Sequence, residues 1–206
     1  MNTHPSQLST NRLVSTLCPM PRDAEATQAR LLAAARDEFA AHGIAGSRVD
    51  RIAAVAQSNK AQIYHYFGSK DGLFNAVFEA MCRETVDAVP ISPEDLPEYA
   101  GRLFDSYEQR PWVQRIATWH RLERAGSGEL VDVVLAGNTA KVDAIAEAQA
   151  RGALPTRFPP HVLLGLVIHL SGFWTANIPE FDALVDDTDT KTRRQVVVDA
   201  VAALLT

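Results

Sequence analysis

Cysteine is scarce in this sequence, and so are the long apolar runs that a membrane span needs. Only Cys18 and Cys82 occur in 206 residues, so the chain has neither a disulfide framework nor the CxxC pairs common at metal and redox sites. No segment reaches about 18 consecutive apolar residues, and the N-terminal stretch lacks the apolar run of a signal peptide. We therefore expect a cytoplasmic protein without cofactor or metal that does not enter a membrane.

Positive charge is also in short supply, and its distribution is uneven. The formal net charge is −5 for the whole chain. Residues 1–86 hold nine Lys or Arg against eight Asp or Glu, whereas residues 87–206 hold eleven against seventeen, giving +1 and −6. Any contact of the first part with DNA must then depend on a few locally placed cations and on helix ends, because no strongly basic field is present.

The motifs that mark common enzyme classes are missing as well. The sequence contains no nucleophile motif, no glycine-rich phosphate loop and no HExxH spacing. His120 with Glu123 and His42 with Asp37 offer an acid and a base, but such pairs are frequent on ordinary helix surfaces. We expect no catalytic site and treat an enzyme as the least favoured function.

Apolar residues recur at three- and four-residue steps through most of the chain, which predicts an all-α protein. The proline-containing residues 1–22 show no such period and are predicted to form a flexible arm. The helical pattern starts at Asp23, and Gly43 is placed to end the first helix. The longest later run, residues 129–151, is predicted to be one helix. No run alternates with a period of two, so no strand is expected.

Residues 23–86 have the outline of a helix-turn-helix domain. Ser47 is predicted to cap a short second helix, and the polar break QSN follows it. Ser58 or Asn59 then caps a third helix over residues 60–67, and Ser69 caps a fourth. Short helices separated by a tight polar break are typical of this motif.

The third helix has one face suited to the DNA major groove. At 100° per residue, Ala61, Gln62 and His65 point away from the buried side, where small and hydrogen-bonding side chains can approach base edges. Other side chains flank this face and are expected to contact phosphates, either as cations or at helix starts. These flanking residues are Ser47, Arg48, Lys60, Tyr64 and Lys70.

The stretch GIAGSRVDRIAAVAQSNKAQIYHYFGSKDGLF resembles the N-terminal DNA-binding domain of TetR-family transcriptional regulators, and the resemblance spans residues 26–81. The IA pair at Ile52, the recognition helix KAQIYHYF and the following SK are the matching features. Gln57 and Ser58 depart from the family, which usually has a glycine and an aliphatic residue in the turn. We expect Gln57 to carry a small strain cost or the turn to differ slightly, because glycine is favoured where φ is positive.

The resemblance implies that residues 87–206 form a larger helical domain for dimerisation and effector binding. It further implies a homodimeric repressor that binds a palindromic DNA operator and is released by a small hydrophobic or aromatic effector. The two most apolar helices supply the predicted dimer contact, with Leu163, Leu166, Val167, Leu170, Trp174, Val197 and Val201. Aromatic and imidazole side chains supply the predicted ligand site, which comprises Phe104, Tyr107, Trp119, His120, His169 and Phe173.

Two alternatives stay open at this point. The exposed side chains of the third helix could bind another protein, so that the domain is a helical interaction module. The chain could also bind DNA without any small ligand. Salt separates the first alternative, because binding through phosphates weakens steeply as the salt concentration rises, whereas binding in an apolar groove does not.

Overall fold

The computed structural model describes residues 21–124, 131–175, 179–185 and 189–206. This part of the chain is all α-helical apart from turns and two short 3₁₀ segments, Pro93–Asp95 and Phe173–Thr175. The helices are α1 (Pro21–Gly46), α2 (Val49–Val55), α3 (Lys60–Phe67), α4 (Lys70–Ala88), α5 (Leu96–Gln109), α6 (Trp112–Arg124), α7 (Asp132–Ala150), α8 (Pro160–Ser171), α9 (Pro179–Asp182) and α10 (Thr190–Leu204). The predicted all-α class is confirmed, while residues 1–20 of the predicted arm lie outside the described residues.

Short polar side chains start four of these helices. Each cap oxygen accepts a hydrogen bond from the backbone N–H three residues further on, which satisfies a donor that the first helical turn leaves unpaired. The caps are Asn59, Ser69, Asp95 and Asp189, at 3.0, 2.9, 3.1 and 2.8 Å. The prediction for Ser69 is confirmed, and of the two candidates before α3 the cap is Asn59.

The observed boundaries differ from the predicted ones at three places. Helix α1 begins at Pro21, two residues before the predicted start. Its predicted end at Gly43 is a kink, because Gly43 has φ 68° and ψ −174° and helical turns continue as far as Gly46. Helix α7 occupies Asp132–Ala150 of the predicted 129–151, and residues 129–130 lie outside the described residues. Helix α3 has the predicted bounds.

The first four helices bury one apolar face each. The predicted inner face of α1, which includes Leu31 and Phe39, is fully buried, and Phe39 meets Phe74 of α4 edge to face with ring centroids 5.1 Å apart. Ile52 of α2 and Ile63 of α3 complete this core without any exposure. Full burial of one such side chain contributes about 1.5–3 kcal/mol, so the core holds α3 firmly and leaves its opposite face in solvent.

The remaining helices pack around α5. Helices α8 and α10 lie against α5, and α7 lies against α8 and α4. Leu103 of α5 and Val201 of α10 are among the buried residues of this second part. Arg194 of α10 also bridges to α5, with its guanidinium 2.6 Å from Glu98 and 2.9 Å from Asp105. The second part therefore has a continuous core of its own, on which a cavity and an outer surface can be built.

Candidate DNA-binding surface and cavity

In the turn between α2 and α3, Gln57 stands at a position where the backbone favours glycine. Gln57 has φ 52°, a positive value that glycine adopts more easily than any other residue. Its N–H donates to the Ala54 carbonyl at 3.1 Å, and the Ser58 N–H donates to the Ala53 carbonyl at 2.9 Å. The turn keeps these backbone hydrogen bonds. The predicted strain cost at Gln57 is present because a residue with a side chain has a positive φ there.

Helix α3 exposes the face that the sequence pattern selected. Ala61, Tyr64 and His65 are exposed, and Tyr64 keeps 49% of its surface. Gln62 is half-buried, and its side-chain amide is hydrogen-bonded by the Ser58 hydroxyl. This contact orients Gln62 before any partner arrives, a role for Ser58 that the sequence pattern did not indicate. The face presents a small residue between hydrogen-bonding and aromatic groups, as a helix entering a groove requires.

The lysines beside this face already have partners within the protein. The Lys60 ammonium lies 2.6 Å from a carboxylate oxygen of Asp50, and this hydrogen bond raises the pKa of Lys60. The Lys70 ammonium lies 3.4 Å from the carbonyl oxygens of both Ala45 and Ser47, next to the end of α1. A DNA phosphate would have to replace the exposed Asp50 carboxylate as the partner of Lys60. The carbonyl contacts of Lys70 are long, so its ammonium can still donate a hydrogen bond to a phosphate.

Ser47 and Arg48 are arranged differently from the prediction. Ser47 is only 5% exposed, and its hydroxyl donates to the Ile44 carbonyl at 2.8 Å. It therefore does not cap α2, whose N-cap is Arg48 with no side-chain cap bond, and its hydroxyl is not available to a phosphate. The Arg48 N–H is also occupied, since it donates to Glu38 at 2.8 Å. The prediction that Ser47 caps α2 is wrong, and a phosphate contact at this helix start is left to the Arg48 side chain.

Glu38 is the hydrogen-bond acceptor at the start of α2. It projects from α1 and accepts hydrogen bonds from the Arg48 backbone and from the Arg51 guanidinium, the latter at 2.6 and 2.9 Å. Burial alone raises the pKa of Glu38, but the bonds from Arg51 and Arg48 outweigh it and hold that pKa below its ordinary value. A carboxylate from another helix thus accepts a backbone N–H at the start of α2, where the Ser47 side chain makes no cap bond.

Helix α6 joins the two parts of the chain at Gly43. The Glu123 carboxylate accepts the Ile44 N–H at 3.0 Å and the Ala45 N–H at 2.8 Å, which are the backbone donors freed where α1 kinks. The Trp119 ring lies against Gly43 itself, so close that a Cβ there would be 2.8 Å from Cε3 of the indole. This contact requires glycine at position 43.

Two further side chains of α6 strengthen the same joint. Arg124 lies 2.8 Å from Asp71 at the start of α4. The His120 ring stacks on Phe78 with centroids 4.0 Å apart and an interplanar angle of 3°. Burial, and secondarily the nearby Arg124, lowers the pKa of His120. Trp119 and His120, predicted as ligand residues, therefore belong to the joint and not to a ligand cavity.

A cavity of about 400 Å³ opens on the other side of α6, between α4, α7 and α8. Its volume lies within the range of small-molecule sites, about 300–1,000 Å³. Tyr107 and His169 are on its wall, as predicted for a ligand site. Two other predicted ligand residues are not on the wall of this cavity: Phe104 is buried in the core and Phe173 is partly exposed.

The cavity wall combines apolar and polar side chains. Its apolar part includes Phe78, Met81, Val113, Val134 and Ile168. The His169 ring is held by its Nδ1, which lies 2.7 Å from the Gly165 carbonyl oxygen. Because a carbonyl only accepts, Nδ1 carries the proton, and Nε2 is unprotonated when the ring is neutral. Burial raises the pKa of Tyr107 to about 12 and that of Cys82 to about 11, so both are neutral near pH 7.

Most of the side chains predicted for a dimer contact are covered within the protomer. Four of them are almost fully buried in its core, namely Leu163, Val167, Val197 and Val201. The prediction is wrong for these four because the most apolar face of each helix packs on α5 and its neighbours. Leu170 and Trp174 are half-buried against the same core, and the Trp174 Nε1–H donates to the Arg193 carbonyl at 3.1 Å. Leu166 is half-exposed.

Sequence comparison assigns both parts of the chain to one family. The profile described as "Bacterial regulatory proteins, tetR family" matches residues 31–77, and that described as "Tetracyclin repressor-like, C-terminal domain" matches residues 95–202. The chain belongs to the TetR family. Regulators of this family are DNA-binding proteins and not enzymes, so the exposed face of α3 lies in a DNA-binding helix-turn-helix domain.

Individual relatives agree with this assignment. The HTH-type transcriptional repressor SCO4008 of Streptomyces coelicolor is 37% identical over 166 residues, which are 80% of this chain and 85% of that protein. The solved structure of SCO4942 from Streptomyces coelicolor is 38% identical with a TM-score of 0.77, covering 86% of this chain and 97% of that one. A TetR-like transcriptional regulator from a Rhodococcus species, 17% identical with a TM-score of 0.65 over 91% and 98% of the two chains, shares the fold.

The described part of the chain offers neither a membrane-spanning helix nor a cluster of metal ligands. None of its helices is long and apolar enough to cross a membrane. None of its described His, Cys, Asp and Glu residues form a group of three or more that could hold a metal ion.

Proposed function

We propose that this TetR-family protein is a homodimeric repressor that binds a palindromic operator through α3 and releases it when a small molecule fills the cavity. The observation that carries the proposal is the double role of α6. Val113, Ala117 and Arg121 of this helix line the cavity, while Trp119 and Glu123 hold Gly43 beside the DNA-binding helices. A molecule that changes the position of α6 therefore acts on both the cavity wall and the DNA-binding helices.

The proposed DNA contacts are residues on the outward face of α3 and beside it. Ala61, Gln62 and His65 face base edges, where an imidazole or amide can pair with donor and acceptor atoms. Lys60, Lys70, Tyr64 and the Arg48 side chain contact phosphates and set the register. A repressor of this kind acts in the cytoplasm, where its operator lies, and the SCO4008 relative supports repression as the direction of control.

The proposed dimer contact uses the outer faces of α8 and α10. Val162 and Val196 remain exposed on these helices, and Leu166 lies one turn from Val162. A two-fold contact through these faces places the two α3 helices on one side of DNA, which requires a roughly palindromic site. Leu166→Glu should shift the protein toward monomer in analytical ultracentrifugation, because a dimer would bury the new charge. A wild-type sedimentation coefficient for this variant would place the contact elsewhere.

Release follows from a difference in affinity between two arrangements of the larger domain. An effector that prefers the arrangement with α6 displaced pulls the joint at Gly43, changes the spacing of the two α3 helices and lowers operator affinity. The coupling is reciprocal, so operator DNA must weaken effector binding by the same factor.

The first experiment is selection of binding sites from a random duplex pool at two salt concentrations, with Tyr64→Ala as the comparison. We expect enrichment of an inverted repeat that Tyr64→Ala does not enrich, with circular dichroism confirming that the variant is folded. No enrichment by the wild-type protein would contradict DNA binding through α3 and favour a protein partner for this face. An enriched site that is not an inverted repeat would contradict the dimer.

Lys70→Met and Lys191→Met form a matched pair for the phosphate contact. Both lysines lie in the first turn of a helix, but Lys191 begins α10 in the second part of the chain. Each lost phosphate contact lowers the magnitude of the log affinity against log salt slope by about 0.9. A dimer without Lys70 should therefore lose about 1.8, while Lys191→Met keeps the wild-type slope. Equal slopes for both variants would remove Lys70 from the DNA contact.

A further inference from the structure

The charged side chains on the cavity wall all carry the same sign. Arg83, Arg121 and Lys141 line the cavity, and none of the described residues on its wall is an Asp or Glu. This is unexpected in a chain with an excess of five negative charges. The cavity is therefore positive inside a protein that is negative overall, and its charge complements an anion.

Lys141 lies deepest of the three. Arg83 and Arg121 are exposed at the rim, whereas Lys141 is half-buried. Among the described residues no carboxylate pairs with Lys141, although exposed Arg151 and half-buried Arg194 elsewhere each have such a partner. Burial lowers the pKa of Lys141, an effect that neighbouring Cys82 partly opposes. An ammonium that is partly removed from water without a counter-ion is costly, and a bound anion would recover part of that cost.

Lys141 sits at the end of a continuous stripe of α7. Val134, Asn138 and Lys141 follow one another at steps of four and three residues, so they share the face that lines the cavity. The stripe runs from apolar to hydrogen-bonding to cationic. Phe78, Val113 and Ile168 supply apolar wall from the facing helices. The wall thus matches a molecule with an apolar body and one acidic group.

We propose that the cavity binds an anionic amphipathic effector, such as an aromatic or aliphatic organic acid, whose acidic group pairs with Lys141. The apolar body lies along Phe78, Val113 and Ile168, and Arg83 and Arg121 attract the anion at the rim. This inference rests on the proposed function, since it names the class of molecule for the cavity assigned there.

The test uses two fluorescent probes that share one skeleton. The anionic probe is 8-anilinonaphthalene-1-sulfonate, and the neutral probe is N-phenyl-1-naphthylamine, which lacks only the sulfonate. Fluorescence titration of the full chain gives the Kd of each probe. We expect the anion to bind about tenfold more tightly or better, because a hydrogen bond to a charged group contributes that much.

Four variants locate the binding site. Lys141→Met removes the charge while keeping the length of the side chain, and Lys141→Arg restores the charge. Lys191→Met is the matched control at an exposed lysine off the cavity wall. Gly137→Leu fills the cavity, because its side chain would extend from α7 toward Val86, where a Cβ is already 3.7 Å from a methyl group.

The expected pattern separates charge from shape. Lys141→Met should weaken the anionic probe about tenfold or more. It should leave the neutral probe within about threefold, a change of about 0.7 kcal/mol, which also shows that the cavity is still folded. Lys141→Arg should recover most of the anionic affinity, Lys191→Met should change neither Kd, and Gly137→Leu should weaken both probes.

Other patterns overturn the inference in distinguishable ways. Equal affinity of the two probes, with no effect of Lys141→Met, would mean that the cavity takes neutral molecules; the inference would fail while the proposed effector site stands. Equal losses in Lys141→Met and Lys191→Met would show a general surface effect of charge and would also overturn it. If Gly137→Leu weakened neither probe, both would bind elsewhere, and the effector site of the proposed function would fail as well.

Discussion

The contact between Gly43 and α6 makes a sharp prediction for Gly43→Ala. Gly43 has φ 68° and ψ −174°, a backbone conformation that is open essentially to glycine alone. An added Cβ would collide with the Glu123 carboxylate and would lie 2.8 and 2.9 Å from two atoms of the Trp119 ring. Alanine at this position is therefore unfavourable both for the backbone conformation and for the contacts with Glu123 and Trp119.

The expected loss of stability is about 3–5 kcal/mol. The backbone conformation contributes about 1–3 kcal/mol for a residue with a Cβ. The Glu123 carboxylate must also withdraw, which weakens its bonds to the Ile44 and Ala45 N–H groups at about 1 kcal/mol each. A loss of this size is a large fraction of the 5–15 kcal/mol typical of folded domains.

Gly152→Ala is the matched control. Gly152 ends α7 with φ 74°, but an added Cβ would meet nothing within 4 Å. Its cost should be that of the backbone alone, about 1 kcal/mol. Urea unfolding followed by circular dichroism and tryptophan fluorescence measures both variants, and coincidence of the two signals tests whether unfolding is one transition.

A second variant isolates the carboxylate. In Glu123→Ala the carboxylate is gone, so adding Gly43→Ala should cost at least about 1 kcal/mol less than it does in the wild-type chain. The reasoning is refuted if Gly43→Ala is no more destabilising than Gly152→Ala, or if the two effects at 43 and 123 simply add. Either result would mean that α6 does not hold the kink of α1 in solution.

Three smaller predictions concern the helix-turn-helix and its supports. Gln57→Gly should stabilise the protein by about 1 kcal/mol in urea, because φ 52° is unfavourable for a residue with a side chain. Asn59→Ala should lower the free energy of unfolding by about 1 kcal/mol, since α3 loses its cap; an unchanged midpoint would show that the cap is redundant. Glu38 has a pKa below its ordinary 4.5, so its carboxylate stabilises the fold at neutral pH, and that stabilisation is lost as the pH falls through the lowered pKa. The loss of unfolding free energy in Glu38→Gln should therefore be largest near pH 7 and shrink in acid unfolding titrations below about pH 4.5. A loss that does not depend on pH would assign the effect of Glu38 to packing and not to its charge.

The local features of the chain were predictable because each depends on residues close in sequence. The bounds of α3, the cap at Ser69, the positive φ at Gly43 and the cost at Gln57 follow from spacing and from the conformational preferences of single residues. The exposed face of α3 follows likewise from a fixed rotation per residue. Such features do not depend on where other helices lie.

The predicted ligand and dimer residues fared less well for a shared reason. Aromatic and branched side chains on an amphipathic helix are equally suited to a protomer core, a cavity wall and a subunit contact. Residue type alone suggests Phe104, Trp119 and Leu163, but the first and last are core residues and Trp119 packs on Gly43. Lys141 carries a usable signal, a cation on the otherwise uncharged α7 stripe of Val134 and Asn138, which a selection by aromatic and imidazole side chains misses.

The sequence by itself determined the all-α class, the helix-turn-helix and the outward face of α3, since periodicity and capping act within a few residues. Only the tertiary structure decided that Glu38, and not Ser47, accepts a backbone N–H at the start of α2, because that carboxylate comes from ten residues earlier in the chain. The same holds for Glu123, which reaches the kink of α1 from 79 positions away in sequence. Lys141 shares a cavity wall with Arg83 and Arg121 because three separate helices pack there, and no local pattern records such packing.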